Sequence, residues 1–250
     1  MPAVEERVCP DLTSVTRAAA DAFVRQVDMS YRQRGTCYLA LTGGPAAERL
    51  YRLLTQTRRG DVAWDACHVF LTDERVVAVD DASSNADMLA RHLAGTGATV
   101  HRVAVEASDP QTAADVYESR IRSVVPGGFD GVPVFDLMVL AMGRDGQVAS
   151  LFPGMPSLDE RHRLVVAAEP GGTPPPVHRV TCTLPLINRA RSALMMTTDA
   201  GCNAAYLEVR SGFPRPPAGA RTPAGRVRLE QGSLLWFVES GTARRQAQYR

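Results

Sequence analysis

Residues 36–54 have the sequence TCYLALTGGPAAERLYRLL, in which the pattern of residue types changes at the two glycines in the middle. The first half, residues 36–42, is short, apolar and rich in β-branched and aromatic side chains, which is typical of a buried strand. Gly43 and Gly44 then end the strand, and Pro45 is a favourable first residue for a helix. Apolar residues at helical spacing follow Pro45. The stretch therefore predicts a strand, a tight turn and a helix.

The alternation of strand and helix continues along the chain. Further strands are predicted at residues 68–72, 100–105, 135–143, 164–168, 178–183, 193–198 and 234–238, and helices at residues 11–26, around 88–93 and at 109–125. This pattern indicates an α/β protein with a doubly wound, mostly parallel sheet and helices on both faces. We expect residues 1–250 to form a single domain of this modified Rossmann-like kind.

Composition excludes several classes of function. Lys+Arg number 28 and Asp+Glu 27, so a net charge of +1 gives no general attraction for nucleic acid or an anionic membrane. Every one of the 28 cations is an arginine, which excludes lysine Schiff-base chemistry. The five cysteines have no metal-ligand spacing and are expected to be reduced and buried. With no long apolar run and no basic leader pattern, the cytoplasm is the expected location.

Four features follow predicted strands, where doubly wound sheets bind ligands. They are TGGP at residues 42–45, TDERVV at 72–77, AMGRDGQVASLFPG at 141–154, and Arg179 within HRVTCTLP. The glycine turn leads into a helix N-terminus, which suits a phosphate group, and an arginine can bind phosphate through two hydrogen bonds. Each feature alone has a simpler explanation: a structural turn, a solvated acidic loop or a surface arginine. Nucleotide binding is not indicated, because neither a P-loop nor G-x-G-x-x-G is present.

Together, in this order and spacing, the four features resemble the 6-phosphogluconolactonase family, which shares its fold with glucosamine-6-phosphate deaminases and isomerases. The likeness extends from about residue 40 to residue 238. It implies the sugar-phosphate isomerase/lactonase type of fold. It also implies that the substrate phosphate is held by Thr42, Gly43, Gly44, Arg75 and Arg179. Asp73 and Asp145 would line the sugar end of the site.

The sequence departs from the family pattern at a critical position. The third motif of the family normally reads G-x-D-G-H-T-A-S-L-F-P-G, and its histidine is the expected general base. Gln147 stands at that position here. A glutamine can position water or donate to a carbonyl oxygen, but it cannot take a proton. Asn203 replaces a lysine that relatives tend to carry, and Pro45 replaces a more usual serine.

The resemblance predicts hydrolysis of 6-phosphoglucono-δ-lactone to 6-phosphogluconate in the oxidative pentose phosphate pathway, with Asp73, Asp145 and Gln147 as the catalytic candidates and no cofactor or metal. One alternative is a pseudoenzyme that binds a sugar phosphate without turnover, since Gln147 lacks the basic nitrogen. Another is a relative that acts on a different phosphorylated sugar or lactone. The expected partner is a small phosphorylated sugar lactone or acid. The sequence identifies no protein partner.

Overall fold

The computed structural model describes residues 3–78, 80–105, 109–171, 175–212 and 222–243. The strands in chain order are β1 Ala3–Cys9, β2 Cys37–Leu41, β3 Cys67–Leu71, β4 Asp73–Arg75, β5 Thr99–His101, β6 Leu137–Ala141, β7 Val165–Ala168, β8 Arg179–Cys182, β9 Ser192–Thr197 and β10 Ser233–Glu239. The α-helices are α1 Leu12–Arg34, α2 Pro45–Arg52, α3 Asn85–Leu93, α4 Pro110–Val124, α5 Leu184–Ile187, α6 Asn203–Ser211 and α7 Ser240–Ala243.

Seven strands form the main sheet in the order β1-β10-β9-β6-β2-β3-β5, and every neighbouring pair is parallel. From β2 the chain moves outward to β3 and β5, and it then returns to the other side of β2 to place β6, β9 and β10. Strand order therefore reverses between β2 and β6. In a doubly wound sheet this reversal opens a crevice at the carboxyl ends of the strands. The prediction of a doubly wound, mostly parallel sheet is confirmed.

A second sheet of three antiparallel strands, β4-β8-β7, stands beside the main one. The interpretation of residues 73–75 as part of an acidic loop was wrong. These residues form β4, in which Asp73, Glu74 and Arg75 pair with Thr181, Val180 and Arg179 of β8. Consecutive charged residues are typical of a loop, but here antiparallel pairing with β8 holds them in an edge strand. The pairing places Arg75 opposite Arg179.

The main sheet separates two hydrophobic cores. Alternate residues of β2, such as Leu39 and Ala40, belong to different cores, as strand geometry requires. One core contains apolar residues of α1, α2 and α3, and the other contains those of α4 and α6 with the second sheet. All five cysteines are buried and free, as expected. None of the helices in the described ranges is both long and apolar enough to cross a membrane.

The first helix shows how local sequence sets helix ends. The side chain of Asp11 accepts a hydrogen bond from the Ser14 amide at 2.7 Å, which confirms Asp11 as the N-cap. The helix extends to Arg34, beyond the predicted end at residue 26, and stops at Gly35. Gly35 has a φ of 70°, a left-handed conformation that glycine adopts without strain. The α2 helix continues into a single π-helical turn over Leu53–Thr57.

Candidate active site

A cleft of about 700 Å³ opens at the carboxyl ends of β2, β6 and β9, where strand order reverses. Its walls come from the loops that follow these strands and from the second sheet. All of the residues predicted for the site line this cleft: Thr42, Gly43, Gly44, Asp73, Arg75, Asp145, Gln147 and Arg179. The structure therefore brings together side chains that are up to 137 positions apart in the sequence.

The glycine turn after β2 forms one wall of the cleft. Gly44 is the N-cap of α2 with a φ of 96°, and Pro45 occupies the first turn of the helix. The first amides of a helix have no carbonyl partner within the helix, so they can donate to an anion. Gly43 lies so close to Asn85 that a Cβ atom would be 1.8 Å from Asn85 Oδ1. The close approach explains why position 43 needs glycine.

The Asn85 side chain connects this turn to Arg75. Arg75 Nη1 donates to Asn85 Oδ1 at 2.5 Å and to the Ser83 carbonyl at 2.7 Å. Asn85 Nδ2 in turn donates to the Asp73 carbonyl at 2.9 Å. These bonds fix the Arg75 guanidinium at the cleft wall. Asn85 was not among the predicted site residues, although it lies only eight positions after the acidic motif at residues 72–77.

Glu74 has a structural role. Its carboxylate accepts hydrogen bonds from the amides of Arg75, Asn85 and Ala86 at 2.7–2.8 Å and from the Ser84 hydroxyl at 3.2 Å. Burial raises the pKa of the Glu74 carboxyl, and the three amide donors oppose that rise. Glu74 thereby anchors the start of α3 against β4, and it does not line the cleft.

A buried network at the cleft wall links Asp73, Ser150 and Arg179. Asp73 Oδ2 accepts from the Ser150 hydroxyl at 2.7 Å, and its Oδ1 accepts from Thr72 Oγ1 at 3.1 Å. Arg179 Nη1 lies 3.5 Å from Ser150 Oγ, and the guanidinium stands 5.6 Å from the Phe152 ring centre. Burial lowers the pKa of the Arg179 guanidinium, while the Asp73 charge opposes the change. Two of the predicted residues are therefore linked through Ser150, which the sequence interpretation missed.

The loop after β6 carries Asp145 and Gln147. The backbone amide of Gln147 donates to Asp145 Oδ1 at 3.0 Å, and the backbone amide of Gly143 donates to the backbone carbonyl of Gln147 at 2.9 Å. Asp145 is exposed, whereas Gln147 is half-buried. A Cβ on Gly143 would lie 2.5 Å from Gln147 Cγ, so the glutamine side chain packs directly over Gly143. The loop thus presents the accessible carboxylate of Asp145 and the side-chain amide of Gln147 to the cleft.

An ion pair that was not predicted lies at the rim of the cleft. Arg144 Nε donates to Asp199 Oδ2 at 2.7 Å, and the hydrogen bond from Arg144 lowers the pKa of the Asp199 carboxyl. Asp199 Oδ1 also accepts from the Gly201 amide at 2.7 Å. The rim pair joins the loops after β6 and β9, and both of its residues line the cleft.

The comparisons with known proteins identify the family of this chain. Residues 10–236 match the family described as glucosamine-6-phosphate isomerases/6-phosphogluconolactonase. The chain belongs to this family. It is 33% identical over 232 residues to "Probable 6-phosphogluconolactonase 2" of Oryza sativa subsp. indica, covering 88% of this chain and 82% of that protein. It is also 33% identical over 220 residues to the 6-phosphogluconolactonase of Synechocystis sp., with 86% of each chain covered.

Solved structures of the family share the fold. The 6-phosphogluconolactonase from Trypanosoma cruzi has a TM-score of 0.82 at 26% identity, covering 97% of this chain and 96% of that chain. The enzyme from Leishmania guyanensis has a TM-score of 0.84 at 23% identity, with 99% of both chains covered. The latter likeness concerns the fold alone. The expected sugar-phosphate isomerase/lactonase fold type is confirmed.

Two of the departures that the resemblance implies can be located in the structure. Gln147, where the resemblance leads us to expect a histidine, lines the cleft. Asn203 is turned away to α7, where its Nδ2 donates to the Thr242 carbonyl at 2.5 Å, and it is not part of the cleft lining. Asn203, where the resemblance leads us to expect a lysine, therefore serves a helix contact. Among the described residues, no three His, Cys, Asp or Glu side chains are grouped to bind a metal ion.

All five histidines are within the described residues, and none lines the cleft. His68 and His101 form a separate pair on β3 and β5, with His68 Nδ1 and His101 Nε2 3.0 Å apart. Arg120 Nε donates to His101 Nδ1 at 3.2 Å. Burial, Arg120 and His68 together lower the pKa of His101 to about 4. The histidines offer no substitute for the base missing at position 147.

Proposed function

We propose that this protein hydrolyses 6-phosphoglucono-δ-lactone to 6-phosphogluconate, as a step of the oxidative pentose phosphate pathway. One observation carries the proposal: in a member of this family, a glycine turn and two arginines line the same cleft as the accessible carboxylate of Asp145. The arginines and the turn suit a phosphate group, and the carboxylate suits proton transfer. The buried, unpaired cysteines support a reducing compartment, the cytoplasm.

The phosphate end of the site acts by orienting the substrate. Thr42, Gly43 and Gly44 supply the turn, and Arg75 and Arg179 supply the positive charge. Contacts with the Asn85 and Ser150 side chains already hold these two arginines. Substrate binding therefore costs little side-chain conformational entropy at the arginines. Fixing the phosphate places the lactone carbonyl towards the loop after β6.

At the other end, Asp145 replaces the histidine as the base in our proposal. A water molecule attacks the lactone carbonyl carbon while Asp145 accepts its proton. The tetrahedral intermediate then collapses, the bond between the carbonyl carbon and the ring oxygen breaks, and the ring oxygen takes the proton to become a hydroxyl group. Gln147 donates its amide hydrogen to the developing oxyanion or to the attacking water. Asp73 remains in the buried network as the support for Arg179.

The absence of a histidine sets an expectation for the rate. General-base catalysis contributes about 10²–10⁴-fold, so we expect an enzyme with a carboxylate in place of the histidine to be slower but still to exceed spontaneous hydrolysis. The test is the rate of lactone hydrolysis at neutral pH against the uncatalysed background. Asp145→Asn should abolish the acceleration, whereas Asp65→Asn, an exposed aspartate outside the cleft, should leave it intact.

Gln147 also favours a second candidate, a sugar-phosphate-binding protein without turnover. The two functions differ in one outcome. Hydrolysis at the background rate, with 6-phosphogluconate still bound, would support the binding protein and refute the lactonase. Gln147→His then separates two causes: a large gain in rate would show that the cleft is otherwise competent, and no gain would show that the cleft differs from a lactonase site at other positions as well.

A further inference from the structure

A second groove, of about 280 Å³, lies between α1 and α2, outside the candidate active site. Its walls are one face of α1, one face of α2 and the π-helical turn that follows α2. The lining residues are Thr13, Thr16, Arg17, Arg49, Arg52, Leu53, Gln56 and Thr57. Three of them are arginines, four others carry hydroxyl or amide groups, and none is acidic. The groove therefore offers hydrogen-bond donors and positive charge together.

The guanidinium groups of the three arginines in this groove form no hydrogen bond or ion pair with the described residues. Most arginines in the described part of the chain form such a contact, and the five that do not are Arg17, Arg25, Arg49, Arg52 and Arg102. Three of these five converge on one groove from two different helices.

The acidic residues near the groove are already engaged elsewhere. Asp11 caps α1 and accepts a hydrogen bond from the Ser14 amide. This bond is the main reason why the pKa of Asp11 is lowered, and the charge of Arg17 contributes least to that lowering. Asp21 pairs with Arg58. Glu48 lies 3.5 Å from His92. No acidic side chain lines the groove, and the charge of Arg17 has only a small effect on Asp11, so the lining carries an excess of positive charge.

We propose that this groove binds a small polyanion that carries two or more phosphate groups. Guanidinium groups bind phosphate oxygens through paired hydrogen bonds, and three of them match a charge greater than that of one phosphate. The hydroxyl groups of Thr13 and Thr57 and the amide of Gln56 supply further donors. The volume is smaller than that of most pockets for drug-sized ligands, which favours a compact ligand of pyrophosphate size.

The groove is distinct from the phosphate-binding turn of the active site, although both use α2. The turn meets the first residue of α2, Pro45, and the groove includes its last residue, Arg52. These ends are about 11 Å apart, at 1.5 Å per helical residue. A ligand in the groove would therefore contact the same helix that presents its N-terminus to the substrate, and the two sites must be tested separately.

The test is isothermal titration calorimetry with inorganic pyrophosphate on the full chain. The variant Arg49→Gln/Arg52→Gln should bind pyrophosphate about tenfold or more weakly, because two charge-assisted contacts are lost. Arg25→Gln/Arg102→Gln makes the same change of charge at two other exposed arginines without partners in the described structure, and it should bind like wild type. Arg75→Gln removes an arginine of the active site and should leave the groove affinity unchanged.

The salt dependence provides a second readout. Affinity for the groove should fall several-fold between 50 and 200 mM salt, because exposed charges are screened. The proposal is overturned if wild type shows no pyrophosphate binding beyond the site that Arg75→Gln removes. It is also overturned if the Arg49/Arg52 variant and the Arg25/Arg102 variant bind equally well. All of the substituted groove residues are exposed, so these variants should fold normally.

Discussion

The Ser150 hydroxyl joins a buried carboxylate to a buried guanidinium, and its removal tests how much this link stabilises the fold. Ser150→Ala deletes a 2.7 Å hydrogen bond to Asp73 and a 3.5 Å contact with Arg179. The short bond has a charged acceptor, and such bonds contribute about 1.5–3 kcal/mol, whereas the contact at 3.5 Å adds little. We therefore expect the free energy of unfolding to fall by about 1.5–3 kcal/mol.

Ser192→Ala is the matched control for this measurement. Ser192 is also almost fully buried, at 1% exposure, but its hydroxyl has no hydrogen-bond partner within the described residues. Its removal should change the free energy of unfolding by less than about 0.5 kcal/mol, or even stabilise the fold. In urea titrations, Ser150→Ala should lower the midpoint by about 0.5–1.5 M relative to Ser192→Ala. Coincident midpoints would refute the role of Ser150 in the network.

Three further predictions concern the site and the pH dependence of stability. In calorimetry, Gly43→Ala should weaken 6-phosphogluconate binding at least about tenfold, because the added Cβ would displace Asn85. The control Gly60→Ala adds a Cβ into open space and should bind normally. Arg75→Gln should weaken the same binding by about 1.5–3 kcal/mol, and unchanged affinity would contradict the phosphate assignment. His101 has a pKa of about 4 in the folded state and 6.5 in the unfolded state, so between these pH values the unfolded state binds one more proton than the folded state. Acid therefore favours unfolding, and we expect the free energy of unfolding from urea titrations to fall by about 2 kcal/mol between pH 7.5 and pH 5. The variant His101→Phe should not show this loss.

Local sequence was sufficient to predict most of the elements and the chemistry of the loops between them. The spacing of apolar residues located the strand, turn and helix around Gly43 and Gly44, and Asp11 marked the start of α1. These features depend on residues within a few positions of each other, since helical and extended backbones repeat over short distances. The family pattern of the loops likewise identified Gln147 as a departure, because that comparison needs only the order of residues along the chain.

Other features depended on contacts that no local pattern contains. The strand β1 was not predicted, because its AVEERVC sequence carries three charged residues, which are tolerated in a strand at the edge of the sheet. The strand β4 exists only through its pairing with β8, more than 100 positions away. The connection of Ser150 to Asp73 spans 77 positions. Local backbone preferences indicate where many of the strands lie, but the order of strands in the sheet decides which loops meet, and that order is set by packing across the whole chain.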